Sequence, residues 1–124
     1  MKSFLGIDYG RKRIGLAISE AGLIARPLKA IENKGEHKNL LAFAQIVKGY
    51  NIGTIVVGLP VHKSASMSNE VRAFAKTLEP LGVKVEFQNE MLTSVEAENV
   101  TKNKNLIDSV AAAMILQDYL KGEK

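Results

Sequence analysis

Residues 3–19 read SFLGIDYGRKRIGLAIS, which is two apolar segments separated by a polar tetrapeptide. The first segment, residues 3–8, predicts a short buried strand that ends in an acid. The second, residues 13–19, predicts another strand. Residues 9–12 between them have the composition of a tight turn. Residues 23–31 predict a third strand, and Pro27 favours an edge position for it. Short turns between three strands indicate an antiparallel meander.

The rest of the chain alternates between helical and strand patterns. The run GTIVVGL is rich in β-branched residues, which is typical of a strand buried on both faces. The last helix is apolar nearly all the way round, so we expect it to be buried. The predicted elements are helix 36–48 closed by Gly49, strand 53–59, helix 68–79 capped by Ser66 or Ser68, strand 83–88, a short helix started by the capping box Thr93–Glu96, and helix 106–120 beginning at Asn105.

A helix precedes each of the two later strands, so right-handed crossovers should place both of them parallel to the first strand. The predicted fold class is therefore α/β, a mixed five-stranded sheet with antiparallel strands 1–3 and parallel strands 4 and 5, flanked by helices. Parallel strands end at one common edge, where sites of open α/β sheets form. This edge collects Asp8, the loop 60–67 and Asn89-Glu90.

Length and composition exclude several classes of protein. The 124 residues fit one domain, 1–124, and the absence of cysteine excludes disulfides, thiolate metal sites and cysteine nucleophiles. No apolar run approaches the ~18 residues of a membrane span, and no signal peptide is evident, so a cytoplasmic location is expected. The net charge of +4 mildly favours contact with phosphates, although it equally fits a soluble domain of no special function.

Three acids stand out as candidates for chemistry: Asp8, Glu90 and Asp108. Two of the chain's three aspartates, Asp8 and Asp108, lie in strongly apolar stretches, where a charge is expensive unless it is paired or bound to metal. If the three carboxylates converge, each pair repels by roughly 3 kcal/mol at an effective dielectric of about 20. Mg²⁺ or Mn²⁺ suits such a cluster and would assist phosphodiester cleavage.

Each acid also has a structural explanation. Asp108 follows Asn105 by three residues and would favour a helix N-terminus, Asp8 fits a turn acceptor, and Glu90 fits a solvated loop. Their common predicted edge favours the cluster over these separate explanations.

Basic residues next to these acids are candidates for holding a nucleic-acid backbone. Arg11, Lys12 and Arg13 follow Asp8 directly, and Lys63 lies in the loop at the same edge, where His62 is a candidate for proton transfer. A solvated hairpin tip and a surface histidine are the ordinary alternatives. The glycine spacing at residues 10–15 lacks the Lys and Ser/Thr of a phosphate loop, which excludes that motif.

Four motifs in order resemble the YqgF/RuvX family over nearly the entire chain: FLGIDYG with RIGLA at 4–17, VGLP at 57–60, NEMLTS at 89–94 and IDSVAA at 107–112. The resemblance implies an RNase H-like fold related to Holliday-junction resolvases, and a nuclease that processes the 5′ end of pre-16S rRNA. It also implies that Asp8, Glu90 and Asp108 are metal ligands and catalytic residues.

The sequence departs from the family pattern at two places. Asn89-Glu90-Met91 stands where the family usually has Asp-Glu-Arg, and residues 61–66 lack the usual Asp-Gly pair. A lost arginine weakens a bidentate phosphate contact, and Lys63, His62 or Arg11 are the candidates to replace it.

The leading hypothesis is a metal-dependent endonuclease acting on structured RNA, with basic residues near Gly10 positioning the backbone. Alternatives are a junction-resolving nuclease on branched DNA and a nucleic-acid-binding module without catalysis. An ATP-binding domain of the actin type would need a second domain to enclose the nucleotide, which a chain of this length makes improbable.

Overall fold

The computed structural model describes residues 2–61, 63–90 and 104–122, with the side chains of the last helix described from Ser109 onward. The five strands are β1 (Ser3–Asp8), β2 (Arg13–Ser19), β3 (Arg26–Glu32), β4 (Ile52–Leu59) and β5 (Lys84–Asn89). The helices are α1 (Glu36–Tyr50), α2 (Ala65–Lys76) and α3 (Lys104–Gly122), and a short 3-10 turn covers Glu79–Leu81.

The five strands form one mixed sheet in the order β3-β2-β1-β4-β5. β1 pairs antiparallel with β2 and parallel with β4, and β4 pairs parallel with β5. The predicted fold class is confirmed, as is the edge position of the strand that contains Pro27. The carboxyl ends of β1, β4 and β5 therefore lie along one edge of the sheet.

Helices cover both faces of the sheet. On one face, alternate residues of β1 and β4 such as Leu5 and Ile55 pack with Phe43 of α1 and Phe74 of α2. On the other face, α3 packs against a smaller cluster centred on Ala17 and Val56. β4 is fully buried from Ile55 to Leu59, which confirms the prediction from its β-branched run.

Two glycines allow α3 to lie close to the sheet. A Cβ on Gly6 would come within 2.8 Å of Leu116 Cβ and 2.9 Å of the Ala112 carbonyl oxygen, and a Cβ on Gly58 would overlap Ile115. Any larger residue at these positions would push the helix outward, since packed interiors leave no spare volume. These close approaches fix α3 over the ends of β1 and β4.

The third strand begins at Arg26, and the predicted start at residue 23 is wrong. Gln117 of α3 takes up the backbone groups of the preceding segment: its Nε2 donates to the Leu23 carbonyl (2.9 Å) and its Oε1 accepts from Ala25 N (2.9 Å). The Leu23 carbonyl and the Ala25 N–H therefore bond to the helix rather than to β2.

The predicted bounds of two helices are also corrected. α2 begins at Ala65, and Ser64 is its N-cap, with Oγ accepting from Met67 N at 3.3 Å, so neither Ser66 nor Ser68 has that role. It ends at Lys76 because the chain turns into the 3-10 segment. α1 runs past Gly49 to Tyr50, and Asn51 ends it in the left-handed conformation (φ 55°).

His62, Met91 and the capping box at residues 93–96 lie outside the described residues. Among the described residues, no helix combines the length and the hydropathy needed to cross a membrane.

Candidate active site

A cleft of about 170 Å³ opens at the edge where β1, β4 and β5 end. Its lining combines acids, bases and apolar residues from four separate parts of the chain. These are Asp8, Tyr9, Gly10, Arg13, Pro60, Lys63, Met67, Val71 and Glu90. Four residues that the sequence singled out for chemistry, two acids and two bases, therefore face one cavity.

Asp8 and Glu90 reach the cleft from either side of β4. Ile7 pairs with Val57 and Leu59 pairs with Asn89, so both acids come at the ends of the strands that flank β4. Glu90 N donates to the Leu59 carbonyl oxygen at 2.8 Å, which holds its backbone against β4.

The carboxylate of Glu90 lies over Gly58. Its Oε2 is 3.3 Å from the place that a Cβ on Gly58 would occupy, and the residue is only 4% exposed. Asp8 alternates with Ile7 along β1 and shares a side of the sheet with Gly6, which faces α3. Both acids are thus directed to the side of the sheet that α3 covers.

Asp108 belongs to α3, although its side chain is outside the described set. Ser109 Oγ accepts from Leu16 N at 3.5 Å, and Leu16 pairs with Ile7. At the other end of the helix, the ring of Tyr119 lies 6.3 Å from that of Phe4. α3 therefore runs away from the cleft edge, and residue 108 occupies its early, cleft-proximal part.

The candidate nucleic-acid contacts divide into two groups. Arg13 and Lys63 line the cleft beside the two acids. Arg11 and Lys12 lie outside its lining: Arg11 binds Glu70 of α2, and Lys12 lines a neighbouring groove together with Arg13.

The pair between Arg11 and Glu70 joins the β1–β2 turn to α2. Arg11 Nη2 lies 2.8 Å and Nε 3.1 Å from the Glu70 carboxylate, a two-point contact. These hydrogen bonds from Arg11 lower the pKa of the Glu70 carboxyl below its ordinary value. Tyr9, whose ring packs at 4.5 Å from that of Phe74, also donates toward Glu70. The turn that follows Asp8 is thereby fixed on α2.

The described residues contain no group of three acidic, histidine or cysteine side chains placed to hold a metal ion. The cleft nevertheless offers two carboxylates, and Mg²⁺ commonly takes one or two protein carboxylates together with water and substrate phosphate oxygens. The donor chemistry of Asp8 and Glu90 thus fits a hard divalent cation.

Sequence reasoning missed three residues that shape the site: Gly58, Glu70 and Tyr9. Gly58 leaves the space that the carboxylate of Glu90 occupies, and its place in the VGLP motif at 57–60 is the sequence signal for it, although that motif gave the glycine no role. Glu70 is separated from Arg11 by 59 residues, and nothing in the local pattern connects them.

Two solved structures with a similar fold are Holliday-junction resolvases. Thermus thermophilus RuvC in complex with a Holliday-junction substrate matches with a TM-score of 0.62 and 14% identity, over 98% of this chain and 95% of that one. The fowlpox virus resolvase in complex with Holliday-junction DNA matches with a TM-score of 0.58 and 12% identity, over 97% of each chain. The fold is therefore RNase H-like.

Sequence comparison gives the family. The model of the RuvX family, described as Holliday junction resolvase, matches residues 2–122. A protein of Thermoanaerobacter pseudethanolicus is 35% identical over 97% of this chain and 96% of its own length, and one of Picosynechococcus sp. is 38% identical over 94% and 90%. Both carry the name "Putative pre-16S rRNA nuclease". The chain belongs to the RuvX family, which confirms the resemblance found in its motifs.

Proposed function

We propose that the protein is a metal-dependent endonuclease that processes the 5′ end of pre-16S rRNA in the cytoplasm. The observation that carries the proposal is the cleft in which Asp8 and Glu90 meet Arg13 and Lys63. Carboxylates bind a hard cation, and basic side chains bind phosphates, so this lining suits a phosphodiester. The names of the relatives favour the rRNA precursor as the substrate.

Asp8, Glu90 and Asp108 would hold Mg²⁺ or Mn²⁺ and act as the catalytic residues. When bound, the cation would activate water and stabilise the leaving oxygen. Glu90 is held by burial and by its backbone bond to β4, so its carboxylate keeps one orientation. Such preorganisation limits the motion needed to reach the reacting geometry.

The bases would bind the substrate on both sides of the scissile phosphate. Arg13 offers a planar guanidinium for two-point contact with phosphate oxygens, and Lys63 offers an ammonium on a flexible stem in the same cleft. Arg11 and Lys12, beside the cleft, would contact the backbone further out. Lys63, His62 and Arg11 are the candidates to replace the arginine that the family pattern has at position 91, and of these Lys63 lines the cleft.

A junction-resolving DNA nuclease is the second candidate, because the matching family model is described as a Holliday junction resolvase. The same cleft would serve both reactions, since it contacts phosphates rather than bases. An assay that offers the protein both a precursor rRNA and a four-way DNA junction distinguishes the two candidates.

The test is cleavage of a precursor 16S rRNA fragment and of a four-way DNA junction, with Mg²⁺ or Mn²⁺ and with a chelator. Asp8→Asn and Glu90→Gln should reduce cleavage by at least about a hundredfold, because catalysis by such carboxylates is worth several kcal/mol. Asp118→Asn and Glu36→Gln change exposed acids of the same kinds away from the cleft and should cleave like the wild type.

The outcomes separate the hypotheses. Metal-dependent cleavage of the RNA that is abolished by Asp8→Asn supports the proposal. Cleavage of the DNA junction alone supports the second candidate, the junction-resolving nuclease. Full activity of Asp8→Asn would overturn the assignment of the site. Binding that is independent of metal, without cleavage of either substrate, would favour a binding module.

A further inference from the structure

A row of exposed lysines leads away from the cleft, across the outer strand β3, to the start of α1. We propose that this lysine groove, formed by Lys12, Lys29, Lys34 and Lys38, binds the sugar-phosphate backbone of a duplex arm that flanks the cleavage site. The inference rests on the proposed nuclease function and extends it to a second binding surface for the same substrate.

The groove consists of two adjoining depressions. The first, of about 460 Å³, lies between Lys12, Arg13 and residues 29–32 of β3. The second, of about 520 Å³, shares residues 29–32 and continues to Lys34 and Lys38. Arg13 lines both the first depression and the candidate active site, so the groove adjoins the cleft.

The charge of the groove is strongly positive. Five basic side chains and a single acid, Glu32, line the two depressions, a local charge of +4 that equals the net charge of the whole chain. The four lysines are exposed, and no ion pair with the described residues neutralises any of them. Unpaired lysines concentrated on one face are typical of a surface that binds phosphates.

Hydrogen bonds hold the groove in place relative to the cleft. Asn33 Nδ2 donates to the Gly10 carbonyl oxygen at 2.9 Å, and Asn33 N donates to the Lys12 carbonyl oxygen at 2.9 Å. Asn33 Oδ1 accepts from Asn39 Nδ2 at 2.8 Å, and Asn39 Oδ1 accepts from Lys34 N at 3.0 Å. The backbone that carries Lys34 is thus tied to the turn that follows Asp8.

The lining favours a duplex over a single strand. No aromatic residue lines either depression, so the described residues offer bases no surface for stacking. Each strand of a duplex presents one phosphate per ~3.4 Å of axis, so a length of ~10 Å, that of the strand from Lys29 to Glu32, carries about three phosphates of one backbone. Lysines along this length would follow the backbone without reading its sequence.

The test compares two triple variants of identical charge. Lys29→Gln/Lys34→Gln/Lys38→Gln removes three positive charges from the groove, and Lys48→Gln/Lys76→Gln/Lys121→Gln removes three exposed charges outside it. Binding of a blunt RNA duplex, of a DNA duplex of equal length and of a single-stranded RNA is measured by fluorescence anisotropy across a salt series, with a chelator present so that cleavage cannot interfere.

The groove variant should bind at least about tenfold more weakly than the control variant at physiological salt, and the slope of log K against log salt should decrease by about 2 to 3. Its cleavage of a short substrate that ends at the cleft should equal that of the control. Loss for both duplexes assigns the contact to the shared phosphate backbone. Loss for RNA alone assigns it to the A-form helix.

Equal duplex binding by the two triple variants would overturn the proposal, even if the protein proves to be a nuclease. A defect confined to single-stranded RNA would overturn it as well. If neither substrate is cleaved by the wild type while the groove variant alone loses duplex affinity, the nuclease function fails and the duplex-binding surface stands.

Discussion

Substituting Gly58 with alanine should disturb stability and catalysis by two separable contacts. The new Cβ would overlap the terminal methyl of Ile115, and it would lie 3.3 Å from Glu90 Oε2. The first contact is with the core of α3, and the second is with the carboxylate that we place in the active site. Because Glu90 is only 4% exposed, it has little room to move away.

The size of the first effect follows from overpacking. Adding a methyl group to a tightly packed interior costs about 1–3 kcal/mol. For a chain of this length, each kcal/mol lowers the melting temperature by about 4 °C, so Gly58→Ala should melt about 4–12 °C below the wild type.

Ile115→Val separates the two effects, because it removes the methyl group that the new Cβ would overlap. Alone, this change costs about 0.5–1.5 kcal/mol. In the double variant the overlap is relieved, so Gly58→Ala/Ile115→Val should be more stable than Gly58→Ala alone. Cleavage should remain low in the double variant, since the contact with Glu90 Oε2 persists. Thermal melts of the wild type, the two single variants and the double variant measure the effects on stability. Cleavage rates of the same four proteins, measured below all four melting temperatures, measure the effects on catalysis.

Two other glycine variants are the controls. Gly6→Ala also places a Cβ against α3, and the three atoms nearest to it belong to Leu116 and Ala112 rather than to Glu90, so it should lose stability. Because α3 carries Asp108, the cleavage rate of Gly6→Ala measures the effect of displacing the helix, and Gly58→Ala should lose more activity than this. Gly49→Ala lies in α1 with no atom within 4 Å of the added Cβ and should be stabilising by about 0.5–1 kcal/mol. The reasoning is refuted if Gly58→Ala has the same melting temperature as the wild type, or if the double variant cleaves at the wild-type rate.

Two further predictions concern the hydrogen bonds around the β1–β2 turn. Asn39→Ala removes a buried amide that bonds Asn33 and Lys34, so thermal unfolding should show a loss of about 1–3 kcal/mol; an unchanged melting temperature would contradict this. Glu70→Gln should be slightly less stable than the wild type near neutral pH, and this difference in the free energy of unfolding should become smaller in acid. Arg11 lowers the folded-state pKa of Glu70, so the ion pair stabilises the wild type above the ordinary carboxyl pKa. The wild type loses this contribution as the pH falls through the lowered pKa. Urea unfolding of both proteins between pH 7 and pH 3 measures it, and a deficit that is constant with pH would count against the pairing.

Most of the fold follows from local patterns in the sequence. The β-branched run 53–59 could only be a buried strand, and the helices before it and after it forced parallel connections. The edge rule for parallel strands then predicted that Asp8 and Glu90 approach each other, since both follow strands that end at one edge.

The misplaced boundaries of β3 and α2 have different physical causes. Leu23 and Ile24 have strand-forming side chains, but they are 73% and 78% exposed because Gln117, distant in sequence, takes the backbone bonds of this segment. The cap of α2 was predicted at Ser66 or Ser68, and the local pattern gave no reason to choose Ser64, whose Oγ accepts from Met67 N. A tertiary partner therefore decided the first case, and a choice among neighbouring serines decided the second.

The three consecutive basic residues Arg11, Lys12 and Arg13 lie in different places, which shows why residue type alone could not define the binding surface. All three follow the same acid, so the sequence gives each an equal claim to the substrate. The structure separates them by direction: Arg11 is turned to Glu70 on α2, Arg13 lines the cleft, and Lys12 lines the groove beside β3. A hairpin tip sends neighbouring side chains to different sides of the molecule. One short basic segment can therefore brace the turn, contact the substrate near the acids and extend the contact outward at the same time.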